Sequence, residues 1–346
     1  MVALSTSVVI VNYNGWPLLR GCLASLREQE RPADEIIVVD NGSRDETTRF
    51  LPVEFPEVRL VDAGRNLGFA AGNNLGIAHA RGEVVVLLNN DTVAEPGFIA
   101  RITEPLERDP AVGAVAATMV FAGAPDIVAS AGIEVYRDGL ALDRGVGLPR
   151  AMLTAPAPVF GASAGAAAYR RAALDDVGFF PEPFFMYLED VDLAWRLRLR
   201  GWEAVHAPGA VVRHFYSASS VEGSAWKRRL LARNRLWVIA RCMPTPLLRR
   251  GGCAVLRYEA MAGGYALTRR DWAALDGRLR GLMGLPARLQ ERRVIQGAAT
   301  VSAEKVGRWL QSPLPPTELL RVRRLTAELA VNGAGSWSGQ QAAPPA

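Results

Sequence analysis

The sequence predicts an α/β fold: a mostly parallel sheet covered on both faces by helices, followed by a basic and mainly helical annex. Three observations carry this expectation. Short β-branched runs alternate with stretches of helical spacing through the first ~90 residues. Polar clusters close four successive strand runs. Charge also divides along the chain: residues 1–212 carry 18 basic and 27 acidic side chains, net −9, and residues 213–346 carry 22 and 8, net +14. With 346 residues, 49% hydrophobic and 22% charged, the chain is long enough to bury one large core and a smaller appendage.

Taken in order, 8–11, 36–39, 58–61 and 84–88 read as buried strands, with helices at 17–28 and 69–80 between them. Strands alternating with helices across short polar joints favour parallel pairing. In such sheets ligands sit at the carboxyl ends of the strands. The polar clusters fall there: Asn12-Tyr13-Asn14-Gly15, Asp40-Asn41-Gly42-Ser43, Gly64-Arg65-Asn66-Leu67-Gly68 and Asn89-Asn90-Asp91. Each alone is ordinary turn and cap chemistry; four on one rim point to a binding site. From 111 to 168 the pattern loosens into short strands and Gly/Pro loops, and a helix follows at 170–177. Glu189-Asp190-Val191-Asp192 then opens a helix that Gly201 closes. A strand over 202–214 ends the acidic half. Helices follow at 225–241, 247–268, 271–282, 286–296 and 317–331, broken by Pro244, Pro246, Pro286 and Pro313. Residues 333–346 are small and polar enough to form a disordered tail. The expected organisation is an α/β domain over 1–218, the basic helical region over 219–332, and that tail.

Several chemistries are excluded. Three cysteines, Cys22, Cys242 and Cys253, make neither a disulfide scaffold nor a cysteine-based zinc site, and they fit a reducing cytoplasm. No signal-like leader precedes the first strand, and no apolar run reaches the ~18 residues of a membrane span. The first corner lacks the Gly-x-Gly-x-x-Gly of dinucleotide binding, and the two lysines, Lys227 and Lys305, sit in no phosphate-binding loop. Gly161-Ala162-Ser163-Ala164-Gly165 has the letters of a nucleophile elbow but leads into a strand-like Ala-rich run.

What remains is a rim with Asp91 after the fourth strand, an acidic helix start at Glu189-Asp190-x-Asp192, and His214 at a strand end. One aspartate sharing a divalent cation with a diphosphate, and a separate carboxylate acting as general base, would make a transferase. Asp192 and Arg196 lie four apart and can pair on one helix face, which leaves Asp190 as the free carboxylate. The alternative is that the acidic cluster only caps the helix and complements its dipole.

These motifs, from Val8-Val9-Ile10-Val11-Asn12-Tyr13-Asn14 through Asp40-Asn41-Gly42-Ser43, Arg65-Asn66-x-Gly68-Phe69-Ala70-x-Gly72-Asn73-Asn74-x-Gly76 and Leu87-Leu88-Asn89-Asn90-Asp91 to Glu189-Asp190-Val191-Asp192 and His214, resemble the family 2 glycosyltransferases of the GT-A fold. The resemblance is nearest to bacterial rhamnosyltransferase-like members and covers roughly residues 5–240, Arg233-Asn234 included. It implies that Asn12, Tyr13, Asn14 and Asp40 hold the base and ribose of a nucleotide sugar. Arg65, Gly72 and Asn73 would line the nucleotide and diphosphate, with Asn90 also on the donor side. Asp91 matches the last position of the family's metal-binding Asp-x-Asp, whose first aspartate is here Asn89, so Mg²⁺ or Mn²⁺ would bind weakly without nucleotide. His214 would complete the metal shell, Asp190 matches the catalytic base, and Glu189 and Asp192 would support the acceptor or the structure.

The resemblance therefore implies inverting transfer of a sugar, rhamnose in the nearest members, from a UDP- or dTDP-sugar to a hydroxyl of a glycan or lipid-linked acceptor in bacterial cell-surface polysaccharide synthesis. The alternatives are a nucleotide-sugar pyrophosphorylase, or an inactive GT-A domain carrying a basic binding module. For 226–237, where Trp226, Leu230 and Trp237 align among arginines, two readings stand: a helix packed on the catalytic domain, or a helix lying on an anionic membrane surface. The second would place a cytoplasmic enzyme peripherally at the inner face of the cell membrane. No nucleic-acid recognition signature appears, which argues against that partner.

Overall fold

The computed structural model describes residues 3–215 and 224–340. The first part contains β1 (Thr6–Asn12), α1 (Trp16–Arg27), β2 (Glu35–Asp40), α2 (Thr47–Glu54), β3 (Arg59–Asp62), α3 (Gly68–His79), β4 (Val84–Leu88), β5 (Thr92–Ala94), α4 (Phe98–Arg108), β6 (Val112–Phe121) and β7 (Ala124–Ser130). It continues through β8 (Ile133–Val135), β9 (Ala141–Asp143), β10 (Ala157–Pro158), β11 (Ala166–Arg170), α5 (Arg171–Val177), α6 (Glu189–Arg200) and β12 (Glu203–His214). The annex comprises α7 (Ala225–Cys242), α8 (Thr245–Thr268), α9 (Trp272–Met283), α10 (Leu285–Gly297), α11 (Ala303–Gly307) and α12 (Pro316–Gln340).

The main sheet has the order β10-β12-β6-β11-β4-β1-β2-β3, with β5 and β7 added beside β12 and β6. β1 to β4 pair in parallel, as do β6 and β12, while β11 runs antiparallel between β4 and β6. Side chains alternate across a strand, and both faces are apolar here. Val8 and Ile10 face Leu19, Leu23, Phe98 and Ile102 on one side. Val9 packs with Ala70, Ile77 and Leu193 on the other. Burial on both faces explains why these strands read as continuous apolar runs.

Two features that differ from the sequence expectation are α2 and α12. α2 was not foreseen, because Thr47–Glu54 carries β-branched residues and an internal Pro52; its position between two parallel strands supplies the missing crossover. α12 continues to Gln340, eight residues into the expected tail. Gly and Ser lower helix propensity there without forbidding propagation, and no proline interrupts the segment before 344. The junction expected at 218 and the last six positions of that tail lie outside the described residues.

A third core spans the two halves. Ile133, Phe160, Phe184, Trp195 and Leu199 pack with Trp237, Val238, Cys242, Val306 and Leu310. This supports the reading of 226–237 as a helix packed on the catalytic domain. Leu230 and Trp237 are buried, as are Arg235 and Arg241, whereas Trp226 and Arg228 in the first turn of α7 are exposed.

Candidate active site

Parallel register places Asn12 beside Asp40 at the ends of β1 and β2. The fully buried Asn12 amide donates to Thr47 Oγ1 (2.9 Å), and its Oδ1 accepts from Asn90 Nδ2 (2.7 Å), tying the first corner to the fourth. Asp40 Oδ2 accepts from the Ser43 N–H (3.2 Å), while the buried Oδ1 has no hydrogen-bond partner among the described residues. A buried acceptor left open in this way is unusual. Asn14 takes the left-handed conformation (φ 49°); its N–H donates to Ser43 Oγ (2.9 Å) and its Oδ1 accepts from the Arg44 N–H (2.7 Å). Tyr13 is exposed and lines the cleft.

Of the expected donor residues only Tyr13 and Asn90 line the cleft; Asn12, Asn14 and Asp40 hold its corner without lining it, and Arg65, Gly72 and Asn73 are placed elsewhere. Arg65 is exposed and off the cleft wall. Gly72 faces the sheet, where a Cβ would come within 2.9 Å of Val11 Cγ1, so it permits close approach of α3 to β1. The buried Asn73 amide donates to the Phe69 carbonyl in its own helix (2.9 Å). The cleft positions in this stretch are instead Asn41, Asn66, Gly68 and Phe69.

The antiparallel pairing of β12 with β5 sets His214 opposite Thr92, one residue from Asp91. His214 Nε2 lies 3.0 Å from Asp91 Oδ1, both side chains are largely buried at the cleft wall, and Asn89 Nδ2 is 3.4 Å from the same ring nitrogen. A carboxylate oxygen and an imidazole nitrogen turned to one point form a donor set that fits Mg²⁺ or Mn²⁺. Among the described residues no group of three or more His, Cys, Asp or Glu side chains is assembled. The protein therefore offers two ligands, and donor diphosphate oxygens would complete the shell.

At the start of α6 the three carboxylates have separate surroundings. Asp192 is fully buried and accepts from Arg196 Nε (2.7 Å) and Arg241 Nε (2.7 Å). Burial pushes its carboxyl up, but the two guanidiniums outweigh it and hold it below the usual range. Asp192 is thus a structural anchor between α6 and α7. Among the described residues Asp190 has no cationic partner of this kind; its Oδ2 accepts from the Ala164 N–H (3.2 Å) and its Oδ1 from the Val191 N–H (2.8 Å). Burial raises it to about 6, against those two hydrogen bonds. Glu189 is buried with Oε2 unpartnered among the described residues, and burial together with the neighbouring Asp190 charge holds it well above the ordinary value. The Ser163 loop serves as a backbone donor to Asp190, and no elbow is present.

The segment that delivers α6 is strained. Phe185, Tyr187 and Leu188 all have positive φ (66°, 71° and 64°), a conformation that costs non-glycine residues energy and persists only when surroundings enforce it. α7 supplies the enforcement. Asn234 Nδ2 donates to the carbonyls of Phe184 (3.1 Å), Met186 (2.9 Å) and Tyr187 (2.7 Å), and Arg233 Nη2 to those of Pro183 (3.1 Å) and Phe184 (2.8 Å). Sequence reasoning placed Arg233-Asn234 within the resemblance but assigned them no role; a polar pair on an apolar helix face was the only available signal.

These groups line one cleft of about 1800 Å³ containing Tyr13, Asn90, Asp91, His214, Glu189 and Asp190. Its strand-end position and mixed sheet are those of the GT-A glycosyltransferases. Among solved structures, GalNAc-T7 with UDP, GalNAc and Mn²⁺ superposes with a TM-score of 0.59 at 18% identity, covering 70% of this chain and 48% of that one. The mannosyltransferase of Pyrobaculum calidifontis in complex with GDP-Man and Mn²⁺ gives 0.52 at 20% identity, covering 99% and 89%. The family description "Glycosyl transferase family 2" matches residues 7–178. N-acetylglucosaminyl-diphospho-decaprenol L-rhamnosyltransferase of Mycobacterium tuberculosis is 32% identical over 242 residues, 62% of this chain and 76% of the relative. The chain belongs to glycosyl transferase family 2, of rhamnosyltransferase-like type. Membership makes it a glycosyltransferase and sets aside the pyrophosphorylase alternative.

Proposed function

We propose that the protein is an inverting glycosyltransferase. It moves a sugar, L-rhamnose being the one its relative suggests, from a UDP- or dTDP-sugar to a hydroxyl of a glycan or lipid-linked acceptor in bacterial cell-surface polysaccharide synthesis. The observation that carries this is Asp190: a cleft carboxylate without an arginine partner, raised to about 6 and held by two backbone N–H groups. It is ionised at neutral pH yet basic enough to take a proton.

Asp190 removes the acceptor hydroxyl proton as that oxygen attacks the anomeric carbon. The bond from this carbon to the diphosphate oxygen breaks on the opposite face, and nucleoside diphosphate leaves. Asn12, fixed by Thr47 and Asn90, orders the donor corner, and the open Oδ1 of Asp40 is an acceptor suited to a base N–H or ribose hydroxyl. Asp91 and His214 would hold Mg²⁺ or Mn²⁺, which supplies charge neutralisation of the departing diphosphate. No helix among the described residues is long and apolar enough to cross a membrane; a peripheral position at the inner face of the cell membrane would bring a lipid-linked acceptor to the cleft.

The test is a donor screen that measures nucleoside diphosphate release from UDP- and dTDP-sugars with glycan and polyprenyl-diphosphate-sugar acceptors. Release with one donor class, abolished by EDTA and restored by Mn²⁺ or Mg²⁺, is expected. Consumption of pyrophosphate, or no acceptor-dependent release from any donor, overturns the reading.

A further inference from the structure

α9 packs the opposite way round from an ordinary amphipathic helix, whose large apolar residues face the core. Its buried positions, Ala273, Ala274, Gly277 and Gly281, are small and lie against α7. A Cβ on Gly277 would overlap the Arg229 carbonyl oxygen, and one on Gly281 would come within 2.7 Å of Leu236 Cδ1. The bulky residues point the other way. Trp272, Leu279, Leu282 and Met283 are 66%, 57%, 55% and 72% exposed. At 3.6 residues per turn they and Leu275 share an arc of about 100°, opposite the buried stripe and with no polar residue inside it. Large apolar residues exposed singly are ordinary; an uninterrupted face of them is not.

The surroundings of this face are cationic. Residues 269–293 carry seven basic and three acidic side chains, and the acidic three, Asp271, Asp276 and Glu291, are all in ion pairs. Arg269 and Arg270, directly before α9, are exposed, and their side chains have no ion pair or hydrogen bond among the described residues. The face also adjoins the active-site cleft. Arg278 lines the cleft wall, and it stands three residues after Leu275 and four before Leu282, the spacings of side-by-side neighbours on a helix.

A bulky apolar face beside unpaired arginines complements a bilayer surface rich in anionic lipid, where apolar side chains enter the acyl boundary and guanidiniums meet headgroup phosphates. A second copy of the same face would set like charges against each other. We infer that α9 is the membrane-docking face of the protein: Trp272, Leu275, Leu279, Leu282 and Met283 enter an anionic leaflet, and Arg269 and Arg270 lie on its headgroups. The cleft edge at Arg278 is then held at the membrane surface. The inference rests on the peripheral position proposed above and adds to it the face that docks and the lipid chemistry it meets.

The experiment is flotation of the full chain with vesicles of phosphatidylcholine alone and of phosphatidylcholine mixed with phosphatidylglycerol. Binding to the anionic vesicles should be at least about tenfold tighter and should weaken as salt rises. Leu279→Glu combined with Met283→Glu should lower that binding at least about tenfold, because it takes two apolar side chains out of the leaflet and sets two carboxylates against anionic headgroups. Val53→Glu, at an exposed position on α2, should leave it unchanged. Retained UDP binding certifies that the double variant is folded; Trp272→Glu replaces it if it is not. Equal binding to the two vesicle types, binding to neither, or wild-type binding by the folded variant overturns the inference. A chain that binds neither vesicle but forms a dimer that the variant dissolves overturns it in favour of a second copy. Turnover is read separately with a water-soluble acceptor. Turnover without vesicle binding refutes the docking face alone, and vesicle binding that the variant loses, without any turnover, refutes the proposed reaction alone.

Discussion

At Asp190, burial penalises the charged form of a carboxylate whose counterweights are two N–H dipoles and no guanidinium. Its value of about 6 stands above the ordinary ~3.9 of aspartate. A base must be ionised to act, so kcat/KM should be flat above pH 6 and fall about tenfold per unit below it; a profile flat down to pH 4.5 would exclude this residue as the base. Asp190→Asn should lower turnover by about 10²–10⁴-fold, the usual worth of a positioned general base, while UDP binding measured by calorimetry stays close to normal. Burial and the Asp190 charge push Glu189 well above its ordinary value. Glu189→Gln should leave the acid limb in place, because Asp190 carries it; loss of the limb in that variant would assign it to Glu189. Spacing already separated Asp190 from the paired Asp192. The burial that pushes both Glu189 and Asp190 up depended on the packed surroundings.

The 184–188 segment and α6 form one element-level device: three residues in left-handed backbone, clamped by five donor contacts from Arg233 and Asn234. Asn234→Ala leaves buried carbonyls without their donor and should cost about 2–4 kcal/mol in urea unfolding, since each buried unsatisfied group costs about 1–3 kcal/mol. Asn234→Asp should not rescue it, because a carboxylate cannot donate to carbonyls; full stability in that variant would contradict the clamp. Asp192 fastens the next turn to α7 through Arg196 and Arg241, and Arg241 also meets Glu291. Asp192→Ala strands two buried guanidiniums and should destabilise by about 3–5 kcal/mol. The wild-type carboxyl is depressed, so its contribution is present above the free aspartate value and is lost as pH falls through the lower folded value. The i, i+4 partner Arg196 was legible from helical geometry. Arg241, 49 residues away, became a partner only when α7 packed on α6.

Across the whole molecule, the acidic and basic halves share a core in which Phe160, Phe184 and Trp195 lie against Trp237, Val238 and Leu310. The annex thus completes the α/β part, and a chain ending near residue 224 would expose that aromatic face. Such a truncation should be insoluble or bind a hydrophobic dye strongly, whereas the full chain should not; a soluble, dye-silent and cooperatively unfolding truncation would show that the α/β part needs no annex. The charge split now has a structural meaning. Buried cations such as Arg235 and Arg241 hold helices together, and others, such as Arg257, face the cleft.

The sequence alone determined the α/β class and the strand-end corners, because strand and helix periodicities and turn chemistry are local properties of the chain; the roles expected of Asp91, Asp190 and His214 came from the family resemblance. Only the tertiary structure decided that His214 faces Asp91, that Gly72 and Asn73 pack α3 and do not line the cleft, that Arg65 stands outside it, and that α7 packs into the core shared with the α/β part. Those outcomes follow from strand register and helix packing between segments far apart in sequence, where side chains compete for the same space and no local pattern records which one wins.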